Sequence, residues 1–117
     1  MPFKKLLSFI SILFFMLDLG FAQTRVMTYN IRYDNPGDNE NWWKHRKTEL
    51  VQLLDYYHPE IFGIQEGLQH QVAYIDSQLK NYTFVGVGRD DGNTKGEYTA
   101  VFYDTTQFDL VFTHTFW

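Results

Sequence analysis

Ile61-Phe62-Gly63-Ile64-Gln65-Glu66-Gly67 is the stretch that decides the fold. It is too short and too apolar for a surface helix, so it reads as a buried strand, and it stops on a carboxylate. Its counterpart is Met27-Thr28-Tyr29-Asn30-Ile31-Arg32, an apolar run that meets a carboxamide. A strand that buries its apolar run and closes on such a group delivers that group to the rim of a sheet, where α/β folds keep their chemistry.

Between the two runs the chain carries the signals of a crossover. Arg25–Asn30 reads as the first strand, and Asp34–Asn41, with Pro36-Gly37 inside it, as a turn-rich loop. Leu50, Leu53, Leu54 and Tyr57 then recur at helical spacing, and His58-Pro59 stops the run because a residue before proline avoids the helical region. Arg25–Glu66 is therefore a βαβ unit with its strands parallel. Further on, Leu68, Val72, Ile75 and Leu79 mark a second helix that Asn81-Tyr82 ends, and Thr83–Val87 is a third strand. Asp90-Asp91-Gly92-Asn93 lacks the alternating acidic positions of a calcium loop and reads as a turn. Tyr98–Tyr103 and Phe108–Phe116 are expected to pair as a hairpin joined at Asp104-Thr105-Thr106. A mixed sheet with helices on one face would leave its other face uncovered, so the chain reads as the N-terminal part of a larger domain.

Composition bounds the rest. With 117 residues, 44% apolar and 19% aromatic, the chain is at most one domain and is built to bury a core. Lys4 and Lys5 precede the apolar run Leu6–Leu17, too short for a comfortable membrane span, and Gly20-Phe21-Ala22 supplies small residues for cleavage. Residues 1–22 are thus expected to be a secretory signal peptide that exports the chain to the periplasm or beyond the cell. The membrane is then met only through this segment before cleavage; Asp18, late within it, keeps an uncleaved anchor as the alternative. No cysteine is present to carry a lipid or a disulfide. Removal of Met1–Ala22 leaves eight basic against thirteen acidic side chains, a net charge of −5. That balance argues against a general nucleic-acid binder and favours a divalent cation between carboxylates and any phosphate substrate.

Taken alone, Glu66 is either a metal ligand or a first-turn carboxylate of the helix that begins near Gly67. Asn30 is either its partner or a turn former, and Glu97 either a site group or a solvated charge at a strand entrance. Arg32 and Arg89 read as surface cations, and Trp42 and Trp43 as packing residues at the start of a helix. His45, His58 and His70 show no metal-ligand spacing.

Val26–Arg32 together with Ile61–Glu66 resembles the endonuclease/exonuclease/phosphatase superfamily, over roughly residues 25–117. The resemblance implies the N-terminal half of a deoxyribonuclease I-like α/β sandwich, a mixed sheet flanked by helices, with residues 23–117 an incomplete domain. It implies that Asn30 and Glu66 frame a magnesium site, with manganese or calcium as substitutes. Glu97, within Lys95–Asp104, would orient a catalytic histidine, and Arg32 would contact phosphate. The family pattern continues beyond Trp117 with that histidine, an Asp-x-Asn pair and an Asp-His pair; His114 precedes the histidine position and is given no catalytic role. The function implied is a secreted hydrolase of phosphomonoesters or phosphodiesters, with nucleic acid, lipid and sugar phosphates all left open and no specific protein partner indicated. The N-terminal fragment is expected to be inactive alone. The alternative is a non-catalytic exported remnant or binding module that keeps the sheet.

Overall fold

A computed structural model describes residues 23–116. The expected signal segment, residues 1–22, lies outside them, as does Trp117. The described chain runs β1 (Val26–Asn30), a 3-10 segment (Pro36–Asn41), α1 (Trp43–Tyr57), β2 (Ile61–Gly67), α2 (Gln69–Gln78), β3 (Tyr82–Val85) and β4 (Tyr98–Asp104). The four strands form one mixed sheet in the order β1-β2-β4-β3. β1 and β2 are parallel, with Val26 opposite Ile61 and Asn30 opposite Gln65. β4 runs antiparallel to both of its neighbours.

Alternation along the strands sorts the sheet into two faces. Phe62, Ile64, Ala100 and Phe102 point to one side, where Trp43, Leu50 and Leu54 of α1 and Val72 and Ile75 of α2 cover them in a single apolar cluster. Phe62 and Phe102, directly opposed across β2 and β4, stack with ring centroids 4.8 Å apart. Trp43 is buried edge-on against Tyr74, and Trp42 is part-buried with its indole N–H donating to Asp34, so both tryptophans pack. Among the described residues the opposite face, carrying Thr28, Gln65, Thr99 and Val101, has no covering layer. Thr28 and Gln65 hydrogen-bond each other there at 3.1 Å.

The two ends of the sheet are built differently. At the end where β1 and β2 begin, the Arg25 guanidinium grips Glu60 at 3.0 Å, and Glu60 also accepts from the Arg25 backbone N–H. Those bonds hold the Glu60 carboxyl down at about 2, far below its usual range. Buried Asp104 ends β4 beside them and accepts from both the backbone N–H and the hydroxyl of Thr106. The other end, where the parallel strands finish, opens into a cavity.

The expected hairpin is not formed. Thr105–Gln107 do turn, but Phe108–Phe116 then runs without strand pairing, with Val111, Phe112 and Phe116 each at least 80% exposed. Topology explains this. β4 is flanked by β2 and β3, so neither of its edges has free N–H and C=O groups to accept a further strand. β3 is also shorter than expected, because Gly86 at φ +145° breaks it; a Cβ at Gly86 would lie 2.9 Å from the Ala100 Cα.

Candidate functional site

The cavity at the open rim is built around an irregularity in β2. Ile64 pairs with Ala100 and Gly67 with Tyr98, so β2 spends one more residue than β4 over the same span. Strict alternation would turn Glu66 into the apolar core behind Phe62 and Ile64. The bulge, with Glu66 in the left-handed region at φ 61°, sends its carboxylate to the rim instead. Such a backbone conformation costs a non-glycine residue on the order of 1 kcal/mol or more, and persists where the surroundings enforce it.

Asn30 supplies part of that enforcement. Its Oδ1 accepts the Arg32 backbone N–H at 2.9 Å, which leaves its Nδ2 to donate to Glu66 Oε1 at 2.8 Å. The amide orientation follows from the network, since a backbone N–H requires an oxygen. Arg32, like Glu66, is left-handed, at φ 56°. Gln71, fully buried in the first turn of α2, ties the two loops together. Its Oε1 accepts from the backbone N–H groups of Leu68 and Asp34, and its Nε2 donates to the Arg32 carbonyl at 3.0 Å. Arg32 and Asp34, in the loop after Asn30, and Leu68, two residues after Glu66, are thus held by one side chain.

The opposite wall comes from the loop between β3 and β4. Gly88 bridges to both Asn93 and Tyr98, and the Arg89 N–H donates to the Glu97 carbonyl. Arg89 and Glu97 consequently face each other, with Arg89 Nη1 3.1 Å from Glu97 Oε2. Asp91 closes the loop by accepting from the N–H groups of Asn93 and Lys95, which holds its carboxyl below the usual range. The cavity between the walls has a volume of about 350 Å³, and Asn30, Gln65, Glu66, Arg89, Glu97 and Tyr98 are among its lining residues.

Three of the residues singled out in the sequence, Asn30, Glu66 and Glu97, therefore share one cavity. Arg32 does not join them. Its Nε and Nη2 pair with both oxygens of Asp38, at 2.6 and 2.8 Å, and it is absent from the cavity lining. The helix-cap reading of Glu66 also fails, because α2 starts at Gln69 with Leu68 as its N-cap and Glu66 makes no bond to it. Arg89, read from sequence as a surface cation, is exposed and also lines the cavity; the Gly88–Asn93 turn that brings it back beside Glu97 was the available signal. His114 lies outside this cavity and lines a separate one with Val85 and Gly92.

The donor set suits a hard divalent cation. Glu66 Oε1 is fixed by Asn30, while no hydrogen bond or ion pair engages Oε2 among the described residues. An oriented, half-exposed carboxylate at an open cavity is the kind of ligand that magnesium takes when it keeps several waters. Among the described residues no three His, Cys, Asp or Glu side chains cluster as a complete metal cage.

No family model and no curated protein matches the sequence. Solved structures do. An endonuclease/exonuclease/phosphatase from Bacteroides vulgatus is 43% identical with a TM-score of 0.69, over 71% of this chain and 32% of that one. A mannosyl-6-phosphatase from Bacteroides thetaiotaomicron is 40% identical with a TM-score of 0.73, over 76% of this chain and 34% of that one. An endonuclease/exonuclease/phosphatase family protein, also from Bacteroides thetaiotaomicron, is 40% identical with a TM-score of 0.72 over 75% of this chain. The chain spans about a third of the length of these proteins. By identity and by fold it belongs to the endonuclease/exonuclease/phosphatase superfamily, a family of phosphoesterases that generally depend on a divalent metal.

Proposed function

We propose that this chain carries one wall of the active centre of an exported, magnesium-dependent phosphomonoesterase. The observation that carries the reading is the Glu66 carboxylate, turned out of the core by a bulge and held by Asn30 at 2.8 Å beside a cavity shared with Glu97. Bound there, magnesium would stabilise charge on the phosphoryl oxygens. Glu66 is its carboxylate ligand, Asn30 holds that ligand by hydrogen bonding from behind, and Glu97 is the carboxylate available to orient a basic group across the cavity. The mannosyl-6-phosphatase among the 40%-identical structures supports a sugar phosphate as substrate, and a cavity of about 350 Å³ suits a small molecule. Export rests on the basic, apolar and small-residue pattern of residues 1–22.

Among the described residues no histidine lines the cavity, which supports metal binding without efficient hydrolysis by the 117-residue chain. The lack of a complete ligand cage among the described residues favours a second reading, a binding module that keeps the sheet without catalysis. Magnesium titration calorimetry on the chain and on Glu66→Gln tests the first. A single weak site that the substitution weakens at least tenfold is expected, because the amide keeps the shape and loses the charge. Equal affinity of the two proteins would overturn it. Magnesium-dependent release of phosphate from a hexose 6-phosphate by the chain would show that a base lies among the residues assigned no chemistry.

A further inference from the structure

A phosphate held in the proposed site would draw a cation, and the four arginines of the chain differ in how far they are free to serve. Arg25 uses Nε, Nη1 and Nη2 on Glu60 and the Tyr57 carbonyl. Arg32 is held by both oxygens of Asp38. Arg46 donates through Nε, Nη1 and Nη2 to the carbonyls of Asn41, Ile31 and Arg32. These three stitch loops to the sheet. Arg89 is different: among the described residues it makes one guanidinium hydrogen bond, from Nη1 to Glu97, with Asp90 a further 3.5 Å ion-pair neighbour of Nε. Its side chain is 67% exposed and lines the same cavity as Glu66.

We infer that Arg89 is the anion-binding residue of this site, a guanidinium that Glu97 aims into the cavity and whose remaining N–H donors take the phosphate oxygens of the substrate. Charge supports the assignment. Glu66 and Glu97 bring two negative charges to the cavity, which a divalent ion at Glu66 would only cancel; Arg89 makes the loaded site net positive and attractive to a phosphate dianion. Geometry supports it as well. A planar guanidinium with one edge tethered to a carboxylate can still present its other edge to two phosphate oxygens, which a lysine cannot do. Glu97 then has two opposed effects. It positions the guanidinium, and it competes with phosphate for it.

The inference rests on the reading of the cavity as a phosphoesterase site, but its test does not require turnover. Inorganic phosphate is titrated into the full chain and followed by amide chemical shifts, with and without magnesium, for wild type, Arg89→Ala, Arg89→Lys, Glu97→Gln and Arg32→Ala. Saturable shifts at Asn30, Glu66, Glu97 and Thr99 are expected. Arg89→Ala should weaken binding about tenfold, Arg89→Lys less so, and Glu97→Gln should tighten it, since the donor it occupied is released. Arg32→Ala should bind as wild type. Unchanged affinity in Arg89→Ala, or a loss in Glu97→Gln as large as that in Arg89→Ala, would overturn the inference and leave Arg89 a clamp for Glu97. Should Arg89→Ala lose its folded spectrum, the opposite directions expected for Arg89→Lys and Glu97→Gln decide the matter alone. If magnesium neither binds nor strengthens phosphate binding, the metal reading fails while the magnesium-free comparison still tests Arg89.

Discussion

At the scale of single residues, Asn30 and Glu66 form a hydrogen-bonded pair. Asn30 Nδ2 donates to Glu66 while Oδ1 takes the Arg32 N–H, so in the proposed site Asn30 would support the carboxylate more than serve as a ligand. Loss of a hydrogen-bonded support typically lowers metal affinity roughly 10- to 100-fold. Asn30→Ala should therefore weaken magnesium binding by about that factor with little change in the folded spectrum, measurable by calorimetry. Asn30 and Glu66 were legible in the sequence because each sits near the end of an apolar run and the two runs together resemble a known family. The left-handed bulge that turns Glu66 outward was not, since the residue that takes the positive φ is a glutamate and not a glycine. For Arg89 the Asp90–Asn93 turn was the one sequence signal. Its place depends on Gly88 pairing with Asn93 and Tyr98, a contact that no periodicity announces.

At the scale of elements, the β1-α1-β2 unit was readable from alternation and helical spacing, and its helix ends at His58, left-handed at φ 46°, where Pro59 forbids continuation. The segment after β4 was misread for the opposite reason. Phe108–Phe116 has strand-forming residues, but strand propensity describes fitness for a pleated, half-buried surface, and β4 has no edge left to offer. The fastening between β1 and α2 rests on Gln71, whose amide meets three backbone groups while fully buried. Gln71→Met keeps the size and orphans those groups, each worth about 1–3 kcal/mol when left unpaired. The substitution should lower stability by at least about 2 kcal/mol in urea denaturation and weaken magnesium binding as well, because the loops after Asn30 and Glu66 lose their common tie. Full stability in Gln71→Met would mean that the loops are held by other means.

At the scale of the whole molecule, one end of the sheet is fastened by an ion pair and the other opens into the proposed site. The locked end holds Glu60, with its pKa down at about 2, and Asp104, with its carboxyl lowered by the Thr106 bonds. A carboxyl whose folded pKa is depressed stabilises above its unfolded pKa, near 4.5 for Glu60, and that contribution is lost as pH falls toward 2. Urea midpoints should thus decline below about pH 4.5, and Glu60→Gln should be less stable at pH 7 with a shallower decline. A variant as acid-sensitive as wild type would place the sensitivity elsewhere. The exposed side chains of Val111, Phe112 and Phe116, with a sheet face left uncovered among the described residues, predict concentration-dependent self-association in sedimentation; a monomer at all concentrations would mean that this apolar surface is too dispersed to act. The other end of the sheet is the proposed divalent-metal site centred on Glu66. Its most direct test is paramagnetic broadening of amide signals by manganese. Selective broadening at Asn30, Glu66, Glu97 and Thr99, abolished in Glu66→Gln, is the predicted result; broadening centred on Asp38, Asp91 or Asp104, or unchanged in that variant, would contradict it.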